Sequence, residues 1–194
     1  MSGLRERKKA QTRLTIQQHA LRLFREQGYE NTTVKQIADA ADVSESTFFR
    51  YFPTKEELVL WDDLDLSFAE RFRAQPTTLE AFEAMRTAMR DTFAELSTAQ
   101  RQHLQERVEL MMSVPPLRAS LLDQLIGATR VMSDLLATRS GTDAADPAVR
   151  AVVGAIVGAG FSAVIAVQDN SGADFTELLD ETLSNLAAVV PTRD

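Results

Sequence analysis

Four polar side chains follow Ser44 within one short stretch, namely Glu45, Ser46, Thr47 and Arg50. Near the start of a helix, hydroxyl and guanidinium groups can donate hydrogen bonds to base edges and phosphate oxygens in a DNA groove, and a carboxylate can accept one from a base amino group. A solvated helix face explains the same residues one at a time. The elements around the stretch therefore have to decide between the two interpretations.

Residues 31–58 have the pattern of a helix-turn-helix followed by a bracing helix. Apolar residues recur at helical spacing after Thr33 and predict a first helix from Val34 to about Ala41. Thr33 is suited to cap that helix, and Gln36 is placed to complete a capping box with it. The sequence therefore predicts where this helix starts as well as which face it buries.

The turn and the second helix follow at once. Asp42 falls where the chain must reverse, and Ser44 is suited to cap a helix from Glu45 to Tyr51. A third helix is predicted from Lys55 to about Arg73, which would make it a continuous lever between the two parts of the chain. In this arrangement the helix Glu45–Tyr51 is the recognition helix.

These segments resemble the N-terminal module of the tetracycline-repressor (TetR) family of bacterial regulators, over roughly the first quarter of the chain. The run Phe-Phe-Arg-Tyr-Phe-Pro-Thr-Lys is similar to a branch that includes the mycofactocin-system regulators, whose ligands are acyl-CoA-like. The matching segments are Phe24, Gly28-Tyr29, Thr32-Thr33-Val34, Ile37-Ala38, Ala41-Asp42-Val43-Ser44, Thr47-Phe48-Phe49, Tyr51-Phe52 and Lys55-Glu56-Glu57-Leu58.

The resemblance implies a homodimeric repressor that binds a palindromic operator in double-stranded DNA, with phosphate contacts from Thr33, Tyr51 and Lys55. Two positions depart from the family pattern. Asp42 replaces a glycine but tolerates a left-handed turn, and Phe49 replaces a tyrosine, so it would touch a thymine methyl or a sugar instead of a phosphate. The predicted DNA-binding set is Thr33, Ser44, Glu45, Ser46, Thr47, Phe49, Arg50, Tyr51 and Lys55.

Charge is unevenly distributed along the chain, whose net charge is −7 over 194 residues. Residues 1–55 hold ten Lys and Arg against six Asp and Glu, whereas the remainder holds 11 against 22. A basic module on an acidic body suits DNA binding, although a small basic excess also fits an ordinary solvated face. We expect a DNA-binding domain at 1–54 and a ligand-binding and dimerisation domain at 55–194. The absence of cysteine fits a cytoplasmic location.

A first helix is predicted from about Arg5 to Gln27, with Gly28 as its stop. The arm Arg5–Arg13 is too polar to pack. It would either reach phosphates or a minor groove, or remain a frayed basic terminus. The sequence leaves both alternatives open.

The sequence shows no set of side chains that could carry out enzyme catalysis. His19 and His103 are the only histidines and there is no cysteine, so neither a catalytic set, a metal site nor a cofactor is predicted. The glycines at 154, 158 and 160 lie inside a predicted helix, not in a phosphate-binding loop. A small helical enzyme or ligand carrier remains the alternative from another class, and a regulator without ligand response remains another.

The region after residue 55 is predicted to contain a Met- and Phe-rich ligand pocket. Thr78 would cap the helix after the lever, and Pro115-Pro116 would separate two later helices. His103 and Arg107 lie one turn apart and could anchor a small apolar or acyl-type effector, although a plain packed core explains each residue singly. The candidate ligand residues are Trp61, Met85, Met89, Phe93, His103, Arg107 and Met111.

Residues 151–167 carry no charge. A membrane span is rejected because the run is shorter than the roughly 20 residues required and no second span accompanies it. A helix apolar on all sides must be buried, so we expect it to pair with a second copy together with the last helix. The candidate dimer interface is Gly154, Val157, Gly158, Phe161, Leu179, Leu183 and Leu186. The expected fold is therefore all-α, with about nine helices.

Overall fold

The computed structural model describes residues 2–61, 64–170 and 172–189, and these residues form helices without a strand. The all-α expectation is confirmed. There is one helix more than predicted because the Lys55–Arg73 segment is divided. The helices are α1 Ser2–Gln27, α2 Val34–Ala40, α3 Glu45–Tyr51, α4 Lys55–Leu60, α5 Leu64–Ala74, α6 Ala81–Ala94, α7 Thr98–Ser113, α8 Pro115–Ser140, α9 Pro147–Asp169 and α10 Phe175–Val189.

The chain forms two compact units. The head unit comprises residues 1–61 together with 110–118, and the body unit comprises residues 62–109 and 119–194. The head unit therefore includes all of α4 and the junction between α7 and α8. The predicted DNA-binding domain at 1–54 and ligand-binding and dimerisation domain at 55–194 are defined by function, so the two compact units do not test them and they stay a prediction.

The predicted caps of the helix-turn-helix are confirmed. The Thr33 hydroxyl accepts from the Gln36 backbone N–H while the Gln36 side chain accepts from the Thr33 N–H, which completes the capping box. The Ser44 hydroxyl accepts from the Thr47 N–H at 3.1 Å. Asp42 has φ +53°, the left-handed conformation expected of the turn. Local hydrogen bonds thus fix both ends of the turn that presents α3.

The core of the head unit is aromatic and closed. Ile37, Phe48 and Leu58 are completely buried, and Phe52 is 1% exposed. Leu117, in the first turn of α8, belongs to the same cluster and is also completely buried. Most of α8 belongs to the body unit, but its first turn thus contributes to the core of the head unit.

The prediction of one continuous helix from Lys55 to about Arg73 is wrong. α4 ends at Leu60, and Trp61 has an extended backbone with ψ 135°. The side chain of Gln17 on α1 donates to the carbonyls of Leu58 and Trp61, both at 2.8 Å. Carbonyls in the last turn of a helix have no donor within the helix, so a residue distant in sequence supplies one here and stabilises the break.

Of two predicted helix caps in the body unit, the one at α6 is wrong and the one at α9 is present. α6 begins at Ala81, and its N-cap Glu80 makes no side-chain cap, so the predicted Thr78 cap is wrong. The pair Asp146-Pro147 is typical of a cap followed by the first helical position, and Asp146 does cap α9, accepting from the Ala148 N–H at 2.8 Å.

α9 spans 23 residues and is long and apolar enough to cross a membrane by length and composition. The length argument drawn from its uncharged run is therefore wrong, because the helix extends beyond that run. A core helix of a soluble protein has the same length and composition. About a third of its most apolar stretch is buried, so much of this helix keeps an uncovered apolar surface.

Candidate DNA-binding surface and ligand cavities

α3 presents a polar surface to solvent. Glu45, Ser46 and Arg50 are exposed, whereas Thr47 is half-buried. Ser44 is exposed as well, but its hydroxyl bonds with the Thr47 N–H and the Thr47 hydroxyl, so it orients the first turn. The side chains available for base contacts are therefore those of the residues that follow it.

Phe49 is an apolar exception on this surface. Its side chain is 49% exposed, and its ring meets the buried Phe48 ring edge-on at 5.4 Å. The Arg50 guanidinium lies 5.3 Å from the centre of the Tyr51 ring, which is half-buried. Both contacts limit the freedom of the two outward-facing side chains.

Lys55 is held against the loop between α1 and α2. Its ammonium donates to the carbonyls of Tyr29 at 2.9 Å and Thr32 at 3.1 Å, and it lies 4.0 Å from the centre of the Tyr29 ring. An ammonium has three donors, so one remains for a phosphate beside the exposed Thr33. The predicted phosphate contact would thus come from a lysine that also fastens the loop.

A partly buried hydrogen bond lies next to Lys55. The Tyr29 hydroxyl donates to Glu56 Oε1 at 2.8 Å. Burial, followed by this bond and the Glu56 charge, raises the pKa of Tyr29. Burial opposes ionisation of Glu56, but hydrogen bonds from its own backbone N–H, Tyr29 and Thr54, with the Lys55 charge, lower the pKa of Glu56. The pair therefore stabilises the ionised carboxylate.

The N-terminal arm is helical, because α1 begins at Ser2. The Arg13 guanidinium lies over the rings of Trp61 at 5.2 Å and Phe52 at 5.9 Å and donates to the Tyr51 carbonyl. The expectation that the arm is too polar to pack is wrong for Arg13. The Arg5 and Arg7 side chains lie outside the described residues.

The predicted ligand residues have different surroundings. Trp61 and Met111 pack against the aromatic core of the head unit. In the body unit Met85 is completely buried, and Arg107 is 5% exposed and already engaged in an interaction. His103 is half-buried on α7. Met89 and Phe93 share one cavity, so these two are the ones that the structure brings together.

This cavity, which we call the α10 cavity, has a volume of about 190 Å³. It lies among α6, α7 and α10. Arg101, which the sequence did not single out, donates to the carbonyls of Phe93 and Leu96 and, at 2.6 Å, to the Thr176 hydroxyl. The lining residues are Met89, Arg90, Phe93, Ala94, Arg101, Thr176, Glu177, Leu179, Asp180 and Leu183.

The N-terminus of α10 is tied to α7 beside this cavity. Asp174 accepts from the Thr176 hydroxyl and from the backbone N–H groups of Thr176 and Glu177. Burial opposes its ionisation, but these hydrogen bonds and the Arg101 charge lower the pKa of Asp174. Gln105 on α7 also accepts from the Phe175 N–H at 3.0 Å.

A second cavity of about 450 Å³ lies between α5 and α8. Arg139 donates to the carbonyls of Gln75, Pro76 and Leu79, and thereby fastens the α5–α6 loop. Arg73 is exposed at its rim. The lining residues are Phe72, Arg73, Thr77, Asp134, Leu135, Thr138 and Arg139.

The structure divides the predicted dimer residues into two groups. Gly154, Gly158 and Phe161 are exposed on α9, and Val157 and Leu186 are half-buried. Leu179 is 4% exposed and Leu183 is 1% exposed, because they already pack inside the chain. The uncovered apolar face therefore belongs to α9. No three His, Asp or Glu side chains cluster as metal ligands within the described ranges.

Two family models match the chain. Residues 16–60 match the family described as bacterial regulatory proteins, tetR family, and residues 79–191 match the MftR C-terminal domain. The second match covers more than half of the chain.

Known proteins resemble the chain over most of its length. The transcriptional regulator TcmR of Streptomyces glaucescens is 32% identical over 151 residues, which cover 74% of this chain and 67% of TcmR. MftR of Mycobacterium tuberculosis, named for regulation of mycofactocin biosynthesis, is 26% identical over 163 residues, 81% of this chain and 80% of MftR. The repressor FadR of Thermus thermophilus, solved with lauroyl-CoA, has 25% identity and a TM-score of 0.57, covering 94% of this chain and 96% of FadR.

Proposed function

Because the chain belongs to the TetR family of bacterial transcriptional regulators, and is thus a DNA-binding regulator and not an enzyme, we propose that it is a ligand-releasable repressor. It binds a palindromic operator as a homodimer in the cytoplasm, where the chromosome is. The observation that carries the proposal is the capped helix α3, whose exposed polar residues stand on a closed aromatic core. A rigid support of this kind is what groove recognition requires.

On DNA, α3 enters the major groove. Glu45 contacts bases, Ser46, Thr47 and Arg50 contact bases and phosphates, and Thr33, Tyr51 and Lys55 contact phosphates. Selection of bound duplexes from a random pool tests this mode directly. We expect an enriched palindrome whose half-sites lie one or more helical turns apart, roughly 34 Å each. Enrichment of no common sequence would refute the operator-binding function.

The second copy pairs through α9. Its exposed Gly154, Gly158 and Phe161 form an apolar face on which a second helix can approach closely, and a closed two-fold pair gives the two reading helices that a palindrome needs. Light scattering should report a dimer at micromolar concentration. A stable monomer under those conditions would refute this part of the proposal.

The effector is a small apolar or acyl-type molecule bound in the body unit. The lauroyl-CoA bound to Thermus FadR and the match to the MftR C-terminal domain support this class. The cavity between α5 and α8 adds support, because it combines the apolar Phe72 and Leu135 with the exposed Arg73, which suits an anionic head group.

Release follows from linkage. A ligand lowers DNA affinity only if it favours a conformation of the dimer that fits the operator less well. Coupling of about 1–3 kcal/mol would weaken DNA binding some 5- to 150-fold, and DNA would weaken ligand binding by the same factor. Lauroyl-CoA and shorter acyl-CoAs should be titrated against DNA-free and operator-bound protein. Equal affinity for both states would favour the alternative, a regulator without ligand response.

A further inference from the structure

We propose that the α10 cavity is a binding site for a small apolar cation, such as an aromatic amine or a quaternary ammonium compound. The proposal is separate from the acyl-type effector and from DNA binding. It rests on the composition of the cavity floor and on which charges at the cavity already have partners.

The floor of the cavity is apolar and includes an aromatic ring. Met89 and Phe93 on α6 face Leu179 and Leu183 on α10, and both leucines are at least 96% buried. The Phe93 ring is fixed by an edge-on contact with Phe175 at 6.0 Å. A fixed ring face in an apolar cavity suits a ligand that carries a hydrocarbon group, and it attracts a cation as well.

Both arginines at the cavity are already engaged. Arg101 donates to backbone carbonyls at the end of α6 and to Thr176, and its charge acts on Asp174. Arg90 is paired with Asp91 at 3.2 Å. An anionic ligand would have to compete with these partners.

Unlike the arginines, the carboxylates at the mouth of the cavity are not engaged in ion pairs among the described residues. Glu177 and Asp180 lie three residues apart on α10, both are exposed, and neither has an ion pair among the described residues. The charge that remains uncompensated at the cavity is therefore negative. A cationic group at the mouth, with its hydrocarbon portion on the floor, satisfies both features.

The volume limits the size of the ligand. About 190 Å³ is smaller than the roughly 300–1,000 Å³ of drug-sized pockets, so a one-ring compound fits the floor. Three probes of nearly equal shape separate charge from shape, namely 2-phenylethylammonium, 2-phenylethanol and phenylacetate. Each is titrated into the full chain without DNA, and binding is followed by calorimetry and by NMR shifts.

We expect the ammonium probe to bind about three- to tenfold more tightly than the alcohol, as two partly solvated ion pairs would provide, and phenylacetate to bind most weakly. Glu177→Gln with Asp180→Asn should remove the preference for the cation but leave binding of the alcohol unchanged. Glu181→Gln, on the same helix but outside the cavity lining, is the matched control and should behave as wild type.

A second variant tests the location. Ala94→Phe places a ring in the mouth and should abolish binding of all three probes, with an unchanged circular dichroism spectrum. Equal affinities for the cation and the anion, or a cation preference that survives the Gln and Asn substitutions, would overturn the proposal. Absence of binding of every probe to the folded wild type would overturn it as well. Because DNA is absent from the assay, failure of the operator function would leave the result unaffected.

Discussion

The head unit and the body unit differ in how completely they cover their own apolar residues. Of the large apolar side chains exposed in the described chain, the head unit has Phe49 alone. The body unit has five, with Leu122 at 65% exposure, on α8 and α9. The described head unit covers its large apolar side chains within a single chain except at Phe49, on the surface that we propose meets DNA. The body unit leaves apolar surface that a second molecule can cover.

The largest expected effect tests whether a second copy covers the exposed apolar face of α9 in the body unit. Gly158→Glu places a charge on the exposed face of α9, where an added Cβ meets no atom within 4 Å, so the single chain tolerates it. In a dimer that buries this face the charge would be desolvated and unpaired. We expect loss of the dimer in light scattering and at least a tenfold loss of operator affinity.

Gly127→Glu is the control for this substitution, because Gly127 on α8 is equally unobstructed. It should leave the dimer intact. If both variants stay dimeric, the α9 face is not the interface. If both dissociate, the interface extends over α8 as well.

The next effect tests the hydrogen bonds that stabilise the head unit at the end of α4. Gln17→Leu removes both hydrogen bonds to the carbonyls of Leu58 and Trp61 and should destabilise the head unit by about 1–3 kcal/mol, because the acceptors at a helix end are left unpaired. Urea unfolding followed by the fluorescence of Trp61, the sole tryptophan, measures the change. Gln18→Leu, exposed on the same helix, should have little effect.

A smaller effect is expected from the Tyr29–Glu56 bond, and it depends on pH. Because the pKa of Glu56 is lowered in the folded state, its contribution to stability is present above the ordinary value of 4.5 and is lost as pH falls through the folded pKa. Tyr29→Phe should cost about 1–2 kcal/mol at pH 7 and less in acid. An unfolding series between pH 7 and pH 3 checks the sign. A cost that grows in acid would contradict the assignment.

The smallest effect separates the proposed phosphate contact of the head unit from its proposed base contacts. Lys55→Ala should weaken binding to all duplexes alike and flatten the salt dependence by about one unit, whereas Thr47→Ala should relax sequence preference with little change in that slope. Fluorescence anisotropy at several salt concentrations on matched and scrambled duplexes separates the two. A Lys55 variant with altered sequence preference would show that its hold on the Tyr29 and Thr32 carbonyls also positions α3.

Local sequence was sufficient for the head unit wherever a hydrogen bond closes within a few residues. The capping box of Thr33 with Gln36, the Ser44 cap and the left-handed turn at Asp42 were all predicted for that reason. The break after Leu60 was missed because Gln17, which satisfies the carbonyls there, is more than 40 residues away. Helical periodicity continues across such a break and contains no sign of it.

The cavities were harder to predict for the same reason. Arg101 and Thr176 meet over a separation of 75 residues, and neither residue belongs to a recognisable motif. The Met- and Phe-rich composition predicted a ligand pocket in this region, and Met89 and Phe93 line a cavity there. Composition did not reveal that Trp61 and Met111 are used to pack the head unit instead.

The exposed face of α9 has a consequence for gene dosage. If the regulator binds its operator only when two copies cover that face, the occupied fraction of the operator rises with roughly the square of the protein concentration until dimerisation saturates. A modest change in synthesis or degradation would then move the promoter between on and off without any effector. Substitutions that weaken the α9 contact would raise the number of molecules per cell needed for repression, and a titratable expression system would reveal this as a shifted and steeper response.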